Sequence, residues 1–303
     1  MKNLVKNIVL ATIIGVAMLA VPSQVKADDM RVISLGFEGE YKEGYMTQET
    51  DFKGADFSYS YYIEDTPQTE ITYFKVVNED TIKLVGWESN NNSSIYVDLN
   101  HIKYNGVQYK NIIVDSFEGD ETLNGITFSR VSKVEFTKNC FMNCKNLARI
   151  KFSRVDEVNL AKNCFKNCKK LEAITGLHDI KVIPEGAFKN CSSLVEITLR
   201  NGHTLKTIEK SAFEGCKSLR EFWFISSKFS TYDNVLKYFK SHKIYMEDSA
   251  FKNTSGKCVE IAFTNERDCA FGILKSKDVF KYQTSYAKSG IKAMLGLPRR
   301  MYK

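Results

Sequence analysis

Residues 129–152 read SRVSKVEFTKNCFMNCKNLARIKF, and residues 153–176 read SRVDEVNLAKNCFKNCKKLEAITG. Thirteen of the twenty-four aligned positions are identical. The pattern continues as AFKNCSSLVEITL from Ala187 and AFEGCKSLREFWF from Ala212, with weaker copies SFEGDETLNGITF from Ser116 and AFKNTSGKCVEIAF from Ala250. Each unit can be indexed on its Phe: Phe117, Phe141, Phe165, Phe188, Phe213 and Phe251, at intervals of 24, 24, 23, 25 and 38. Leu123, Leu147, Leu171, Leu194 and Leu219 stand six residues after the Phe, and Ile126, Ile150, Ile174, Ile197 and Phe222 stand nine after it. Phe128, Phe152, Leu199 and Phe224 stand eleven after it, with Gly176 breaking that column and Leu177 displaced by one. One inserted residue brings Cys258, Ile261 and Phe263 into the same slots of the last unit. An L-x-x-I-x-F segment recurring at this period predicts a short strand whose alternate side chains enter a stacked core. One such strand buries little by itself, whereas coils stacked about 4.8 Å apart build a continuous parallel sheet.

Two further columns follow from the same index. Two residues after each Phe come Gly119, Asn143, Asn167, Asn190, Gly215 and Asn253, only the residue types that tolerate a left-handed backbone at low cost. A tight turn is expected there in every coil. One residue later come Asp120, Cys144, Cys168, Cys191, Cys216 and Thr254, small thiols inside and polar residues in the outer coils, as terminal repeats require. Cys140 and Cys164 fill the slot that is Ala187 and Ala212 elsewhere. The repeat therefore accounts for both C-x3-C pairs without zinc. Stacking permits a Cys140–Cys164 disulfide by distance but aligns the side chains poorly for one. A Cys258–Cys269 bridge is left open in the same way.

The consensus I-x-x-x-AF-x-x-C-x-x-L-x-x-I-x-L, plainest at Ile183–Leu199 and Ile208–Phe224, resembles the BspA-like leucine-rich repeat. Upstream, ITYFKVVNEDTIKLVGW (71–87) and NGVQYKNIIVDSF (105–117) look like the N-terminal cap that such proteins often carry. The resemblance covers roughly 71–263. It implies a leucine-rich repeat solenoid, a right-handed, α/β-type, β-rich superhelix with a concave parallel β-sheet, an N-terminal β-rich cap and a C-terminal helical cap or tail. It also implies an extracellular or surface location and a role in adhesion or protein recognition. Cys in place of Ala at two coils, Gly176 in a strand slot and the insertion before Ala250 depart from the pattern.

Outside the repeat, four segments are read. In residues 1–27, Lys2 and Lys6 precede an uncharged run from Ile8 to Val21, and Val25-Lys26-Ala27 follows, the pattern of a cleaved export signal. Fourteen residues reach about 21 Å as a helix, short of the ~30 Å hydrocarbon core, so no integral membrane span is expected. Residues 28–110 form the β-rich cap region, with short strands such as FSYSYYI (57–63) and a hairpin turning at Asn78-Glu79-Asp80. The repeats occupy 111–263, interrupted by a 225–246 insertion. Thr231 suits a helix N-cap there, and Tyr232, Val235, Leu236 and Phe239 share one helical face. Residues 264–303 are a basic C-terminal cap or tail, with eight Lys or Arg and one acid between Lys275 and Lys303 and a helical pattern over 279–297.

The strand alternation turns the eighth and tenth residues after each Phe outward onto the concave sheet. Arg149 and Lys151 make a basic step there, Glu196, Glu221 and Glu260 an acidic strip, and Thr198 and Trp223 share the tenth column. Arg149, Lys151, Glu196, Thr198, Glu221 and Trp223 are the candidate ligand-binding residues. No packing reason inside a coil asks for Trp at 223, and large aromatics anchor recognition surfaces. It either meets a partner or packs beneath the 225–246 insertion. The two charge signs suit a protein or peptide partner, such as one on a host surface.

Chemistry is hard to find. His101, His178, His203 and His242 are scattered, no H-E-x-x-H, G-x-S-x-G or P-loop occurs, and no catalytic residue, metal or cofactor is assigned. The chain is expected not to be an enzyme. A formal charge of +7 over 303 residues and the lack of an aromatic-basic reader motif argue against nucleic acid. Two functions stand open. One is a secreted or cell-surface binding and adhesion module using the concave sheet. The other is a structural envelope protein held non-covalently by its basic tail on anionic cell-wall polymer.

Overall fold

The computed structural model describes residues 41–47, 52, 54–63, 69–89, 94–228, 232–247, 249–254, 260–264, 272–273 and 280–282. Residues 1–27, where an export signal is expected, and most of the basic tail lie outside the described residues. The chain opens as an antiparallel meander: β1 (Tyr41–Thr47), β2 (Phe57–Ile63), β3 (Thr69–Val76) and β4 (Thr81–Ser89). The β3–β4 connection is the expected hairpin at Asn78–Asp80, closed by the Val77 amide donating to the Thr81 carbonyl at 3.0 Å.

The coils follow as β5 (Ser94–Asp98), a β6–β7 hairpin (Lys103–Tyr104, Val107–Gln108), β8 (Asn111–Val114), β9 (Gly125–Phe136), β10 (Arg149–Asn159), β11 (Ala173–His178), β12 (Val182–Ile183) and β13 (Glu196–Arg200). They end with β14 (Thr207–Ile208), β15 (Glu221–Ile225), a helix (Tyr232–Ser241), β16 (Ile244–Met246), β17 (Glu260–Thr264), β18 (Gly272–Ile273) and β19 (Phe280–Tyr282). The result is a solenoid of parallel strands. The main parallel run is β5–β9–β10–β11–β13–β15–β17.

β9 and β10 are long because they supply two sides of their coils. The first half of β9 pairs with β5, Ile95 opposite Ile126, and its second half pairs with β8, Ile112 opposite Val134. Through β8 and β4 the cap meander continues the second side of the solenoid. In later coils this second side is a separate four-stranded sheet, β12–β14–β16–β19.

The core is the columns predicted by the repeat. Leu123, Leu147, Leu171, Leu194 and Leu219 are fully buried, as are Ile174, Ile197, Phe222 and Phe224. Phe141, Phe165, Phe188 and Phe213 stack ring on ring at 5.6, 5.6 and 5.3 Å with planes within 11° of parallel. Each fully buried Phe contributes about 1.5–3 kcal/mol, and the aligned column adds offset stacking. In the insertion, Val235 and Phe239 are buried, and Phe239 meets Phe224 edge-on at 6.1 Å. The helix thus closes the coil on the face of β15 opposite Trp223.

The coils of Phe141, Phe165 and Phe188 each turn three corners in the left-handed region, and their neighbours share some of them. The predicted one is at Gly119, Asn143, Asn167, Asn190, Gly215 and Asn253, with φ between 57° and 78°. A second lies two residues before the Phe, at Asn139, Asn163, Gly186, Ser211 and Ser249. The third ends the main strand, at Arg130, Arg154, Asp179 and Asn201. Four of the last two columns' nine residues are neither Asn, Asp nor Gly, which is why composition did not disclose these corners. Within 279–297, where a helix was expected, Phe280–Tyr282 are strand: Phe280 and Tyr282 align with Ile244 and Met246 of β16. The i, i+2 alternation of Phe-Lys-Tyr matches that neighbouring edge, and pairing there outweighs a helical pattern that contains Gly290.

Candidate functional site

The main sheet brings the six candidate residues onto three of its strands. Arg149 and Lys151 lie on β10, Glu196 and Thr198 on β13, and Glu221 and Trp223 on β15. Backbone register puts Glu196 opposite Glu221 and Thr198 opposite Trp223, and β17 then sets Glu260 and Ala262 beside them. On β10 the register is Arg149 with Gly125 and Ala173, and Lys151 with Thr127 and Thr175. β11 therefore separates the basic step from the acidic strip. Two strand spacings, about 10 Å, lie between Arg149 and Glu196.

Local contacts shape these groups. Thr198 Oγ1 donates to Glu196 Oε1 at 2.6 Å, which holds that carboxylate along the strand. Arg149 Nη2 reaches Glu172 Oε2 at 3.4 Å, a solvent-exposed pair. Lys151, Thr198 and Trp223 are half-buried, and Arg149 is exposed. Between β11 and β13 the pairing slips between Ile174 and Leu177, because Gly176 adopts φ +80° and forms a bulge.

The face extends further toward the N-terminus than the repeat suggested. β5 carries Tyr96 in the column of Thr127, Lys151 and Thr175. Its hydroxyl donates to Asp98 Oδ2 at 3.2 Å, and burial, countered by the Ser129 hydrogen bond and reinforced by the Asp98 charge, pushes its pKa up. Asp98 is fully buried and receives two hydrogen bonds from Arg130, so an ion pair closes this end of the face. Tyr96 escaped the sequence reading because SIYVD stands 31 residues ahead of its partner strand, the β6–β7 hairpin intervening, and lacks the A-F-x-x-C part of the unit. The Ile95–Val97 alternation was the available signal.

The cysteines are structural. Cys140, Cys144, Cys164, Cys168, Cys191 and Cys216 are free and buried, so the Cys140–Cys164 bridge left open by the sequence is not formed. Cys258 and Cys269 lie outside the described residues. Burial pushes the Cys164 thiol up to about 12 and raises Cys191 and Cys216 as well. Thiols buried in this way pack as small apolar side chains and react slowly while the coils stay closed. Among the described residues no helix is long and apolar enough to cross a membrane.

A stacked parallel solenoid whose repeat carries Phe, Cys, Leu and Ile in fixed inward columns defines a leucine-rich repeat protein. The chain belongs to the BspA-type leucine-rich repeat family, whose model matches in six copies over residues 110–241 and 158–272. No curated protein matches it. Among solved structures it is similar to the Treponema pallidum leucine-rich repeat protein, at 18% identity over 51% of this chain and 83% of that one, with a TM-score of 0.36. A leucine-rich cell surface protein of Faecalibacterium prausnitzii is 15% identical over 63% of this chain and 68% of that one, with a TM-score of 0.34. A leucine-rich repeat protein of Bacteroides ovatus is 17% identical over 62% and 57%, with a TM-score of 0.32.

Proposed function

We propose that the protein is a secreted or cell-surface, non-catalytic recognition module that binds a protein or peptide partner, and mediates adhesion, through the concave sheet. The observation that carries this reading is the Thr198–Trp223 register. It sets a half-buried indole on the outward side of β15, in one column with Lys151 and Tyr96 and beside the acidic strip, with the helix packed on the opposite face of that strand. An aromatic anchor flanked by groups of both charge signs gives affinity and orientation together. The family assignment supports an interaction module, and the pattern of residues 1–27 supports export.

The reading of the tail as a wall anchor rests on its charge alone, and among its described residues Phe280–Tyr282 serve as a strand of the second sheet. The test is adherence of labelled full-length protein to cultured epithelial cells, with and without trypsin treatment of the cells. Trypsin-sensitive adherence that drops at least tenfold in Trp223→Ala, with an unchanged melting curve, supports the reading. Equal adherence by the variant removes the site, and adherence insensitive to trypsin removes the protein partner.

A further inference from the structure

Charge is spread unevenly along this solenoid. Between Ser129 and Leu171 stand eleven Lys or Arg and three acids, a net of +8 in a chain whose formal total is +7. The stretch just before it, Asp115 to Glu121, has four acids and no base. The excess therefore belongs to two adjacent coils, those of Phe141 and Phe165.

Much of it lies on the third side of the coil, between the second sheet and the main one. Lys138 and Lys162 hold the same column on neighbouring rungs, and so do Lys145 and Lys169. The rungs are tied by the Asn139 amide donating to the Lys162 carbonyl at 3.1 Å and the Asn143 amide to the Lys166 carbonyl at 2.9 Å. Lys138, Lys145, Lys162, Lys169 and Lys170 are exposed and Lys166 is half-buried. Lys145 pairs with Glu121 at 2.5 Å, Lys162 with Glu185 at 2.7 Å, and Lys170 donates to Asn146 Oδ1 at 2.7 Å. Among the described residues Lys138, Lys166 and Lys169 face no carboxylate. Like charges repeated at a rung spacing of about 4.8 Å repel one another, so this side gains stability from any polyanion that spans them.

We propose that this side of the Phe141 and Phe165 coils binds an extended sulfated polysaccharide. The lysine columns run along the stacking axis and suit a linear chain of regularly placed anions. An amide ladder lies alongside, Asn167 Nδ2 donating to Asn143 Oδ1 at 2.9 Å and Asn190 Nδ2 to Asn167 Oδ1 at 3.0 Å, next to Ser192 and Ser193. Such groups match sugar hydroxyls. The Phe rings of this side, Phe141, Phe165 and Phe188, all point inward and are fully buried, so no aromatic surface is offered to a nucleobase. All six cations are Lys, compact point charges on flexible stems that can each reach an anion along an extended chain.

The experiment is salt elution of the full-length protein from a dextran sulfate resin, with neutral dextran as the blank. Three proteins are compared: wild type, a belt variant (Lys138→Gln, Lys162→Gln, Lys166→Gln, Lys169→Gln) and a tail variant (Lys288→Gln, Lys292→Gln, Arg299→Gln, Arg300→Gln). Thermal melts and a Lys→Arg version of the belt variant, which keeps the charge, show that folding is intact. The expected result is that wild type, tail variant and Lys→Arg variant are retained to similar salt, while the Gln belt variant elutes far earlier and binds dextran sulfate in solution at least tenfold more weakly. Equal retention of the belt variant, or loss of retention in the tail variant alone, overturns the site. Tighter retention on a polyphosphate resin of equal charge density overturns the sulfated ligand.

Discussion

The Cys168 thiol donates to the Phe141 backbone carbonyl, 3.0 Å away in the preceding coil. The same bond recurs from Cys144 to Phe117 at 2.9 Å, from Cys191 to Phe165 at 3.0 Å and from Cys216 to Phe188 at 3.0 Å. The Cys column is thus a ladder that ties each coil to its predecessor beside the Phe stack. Cys168→Ala removes a buried sulfur and one such bond. The Phe141 carbonyl keeps the Cys144 amide as a donor, so the loss is moderate, about 1–2 kcal/mol. Urea unfolding measures it, and a variant as stable as wild type would remove the ladder from the account of stability.

Reactivity follows from the same burial. With Cys258→Ser and Cys269→Ser in place, the six remaining thiols are all enclosed, and burial raises the pKa of Cys140, Cys164, Cys191 and Cys216. An aromatic disulfide reagent such as Ellman's at pH 8 is expected to titrate none of them in the folded protein and all six in urea. Rapid modification of even one thiol without urea would show that a coil opens locally.

Gly176 breaks the strand column in the sequence, and its conformation explains why. With φ +80°, a Cβ there would overlap the Phe152 carbonyl oxygen of the neighbouring strand. Gly176→Ala is therefore expected to cost more than the ~1 kcal/mol of ordinary left-handed strain, on the order of 2–3 kcal/mol, because backbone cannot step aside cheaply. The urea midpoint reads this directly, and an unchanged midpoint would mean the bulge relaxes.

The fold was legible wherever one side chain served one column in every coil. Phe141, Leu147 and Ile150 recur in register, so their burial could be read from spacing alone. The Asn143 column was legible because Asn and Gly share a backbone preference. Arg130 and Ser211 gave no such sign, since their left-handed conformations are imposed by the coil and not by the residue type. Tyr96 was hidden by the hairpin that lengthens its coil. The basic belt was hidden for another reason: the formal total of +7 averages the local excess at Lys138–Lys170 against acidic stretches elsewhere in the chain.

Asp120 takes the slot that later coils give to Cys, and it accepts hydrogen bonds from Trp87 Nε1 at 2.8 Å and from the Leu123 amide at 2.9 Å. Burial opposes its charge, but the Trp87, Leu123 and Thr122 bonds prevail and hold its pKa below the ordinary value of about 3.9. Asp115 is lowered too, burial again being outweighed by Thr137 and Lys83. A carboxyl with a depressed folded pKa contributes its stability in full above the unfolded value and loses it as pH falls through the folded one. Urea midpoints at pH 7 and pH 3 should therefore differ less in Asp120→Asn, which keeps an acceptor for Trp87, than in wild type. Identical pH dependence in the two proteins would remove Asp120 from the acid response.

Arg130 and Arg154 occupy the same corner in successive coils, with φ of 52° and 54°. Their surroundings differ. Arg130 Nε donates to Asp98 Oδ1 at 3.0 Å and Nη2 to Asp98 Oδ2, the Tyr96 hydroxyl and the Asn100 amide also donate to that carboxylate, and His101 Nδ1 stands 3.9 Å from it. Asp98 has no solvent exposure, so removing Arg130 takes the guanidinium from a buried charge, at a cost of about 3–5 kcal/mol. Two donors stay in place, which puts the expectation near the lower end. Arg154 is exposed and has no carboxylate partner among the described residues. Glycine at either corner relieves left-handed strain of about 1 kcal/mol and gives back a similar amount as unfolded-chain entropy. Arg154→Gly is thus expected to leave the urea midpoint nearly unchanged, whereas Arg130→Gly lowers it by the full ion-pair loss. Asp98→Asn in the Arg130→Gly background should recover much of that loss, since a neutral amide tolerates burial without the guanidinium. Equal effects of the two glycine substitutions would show that the corner geometry, and not the Asp98 pair, stabilises the N-terminal coil.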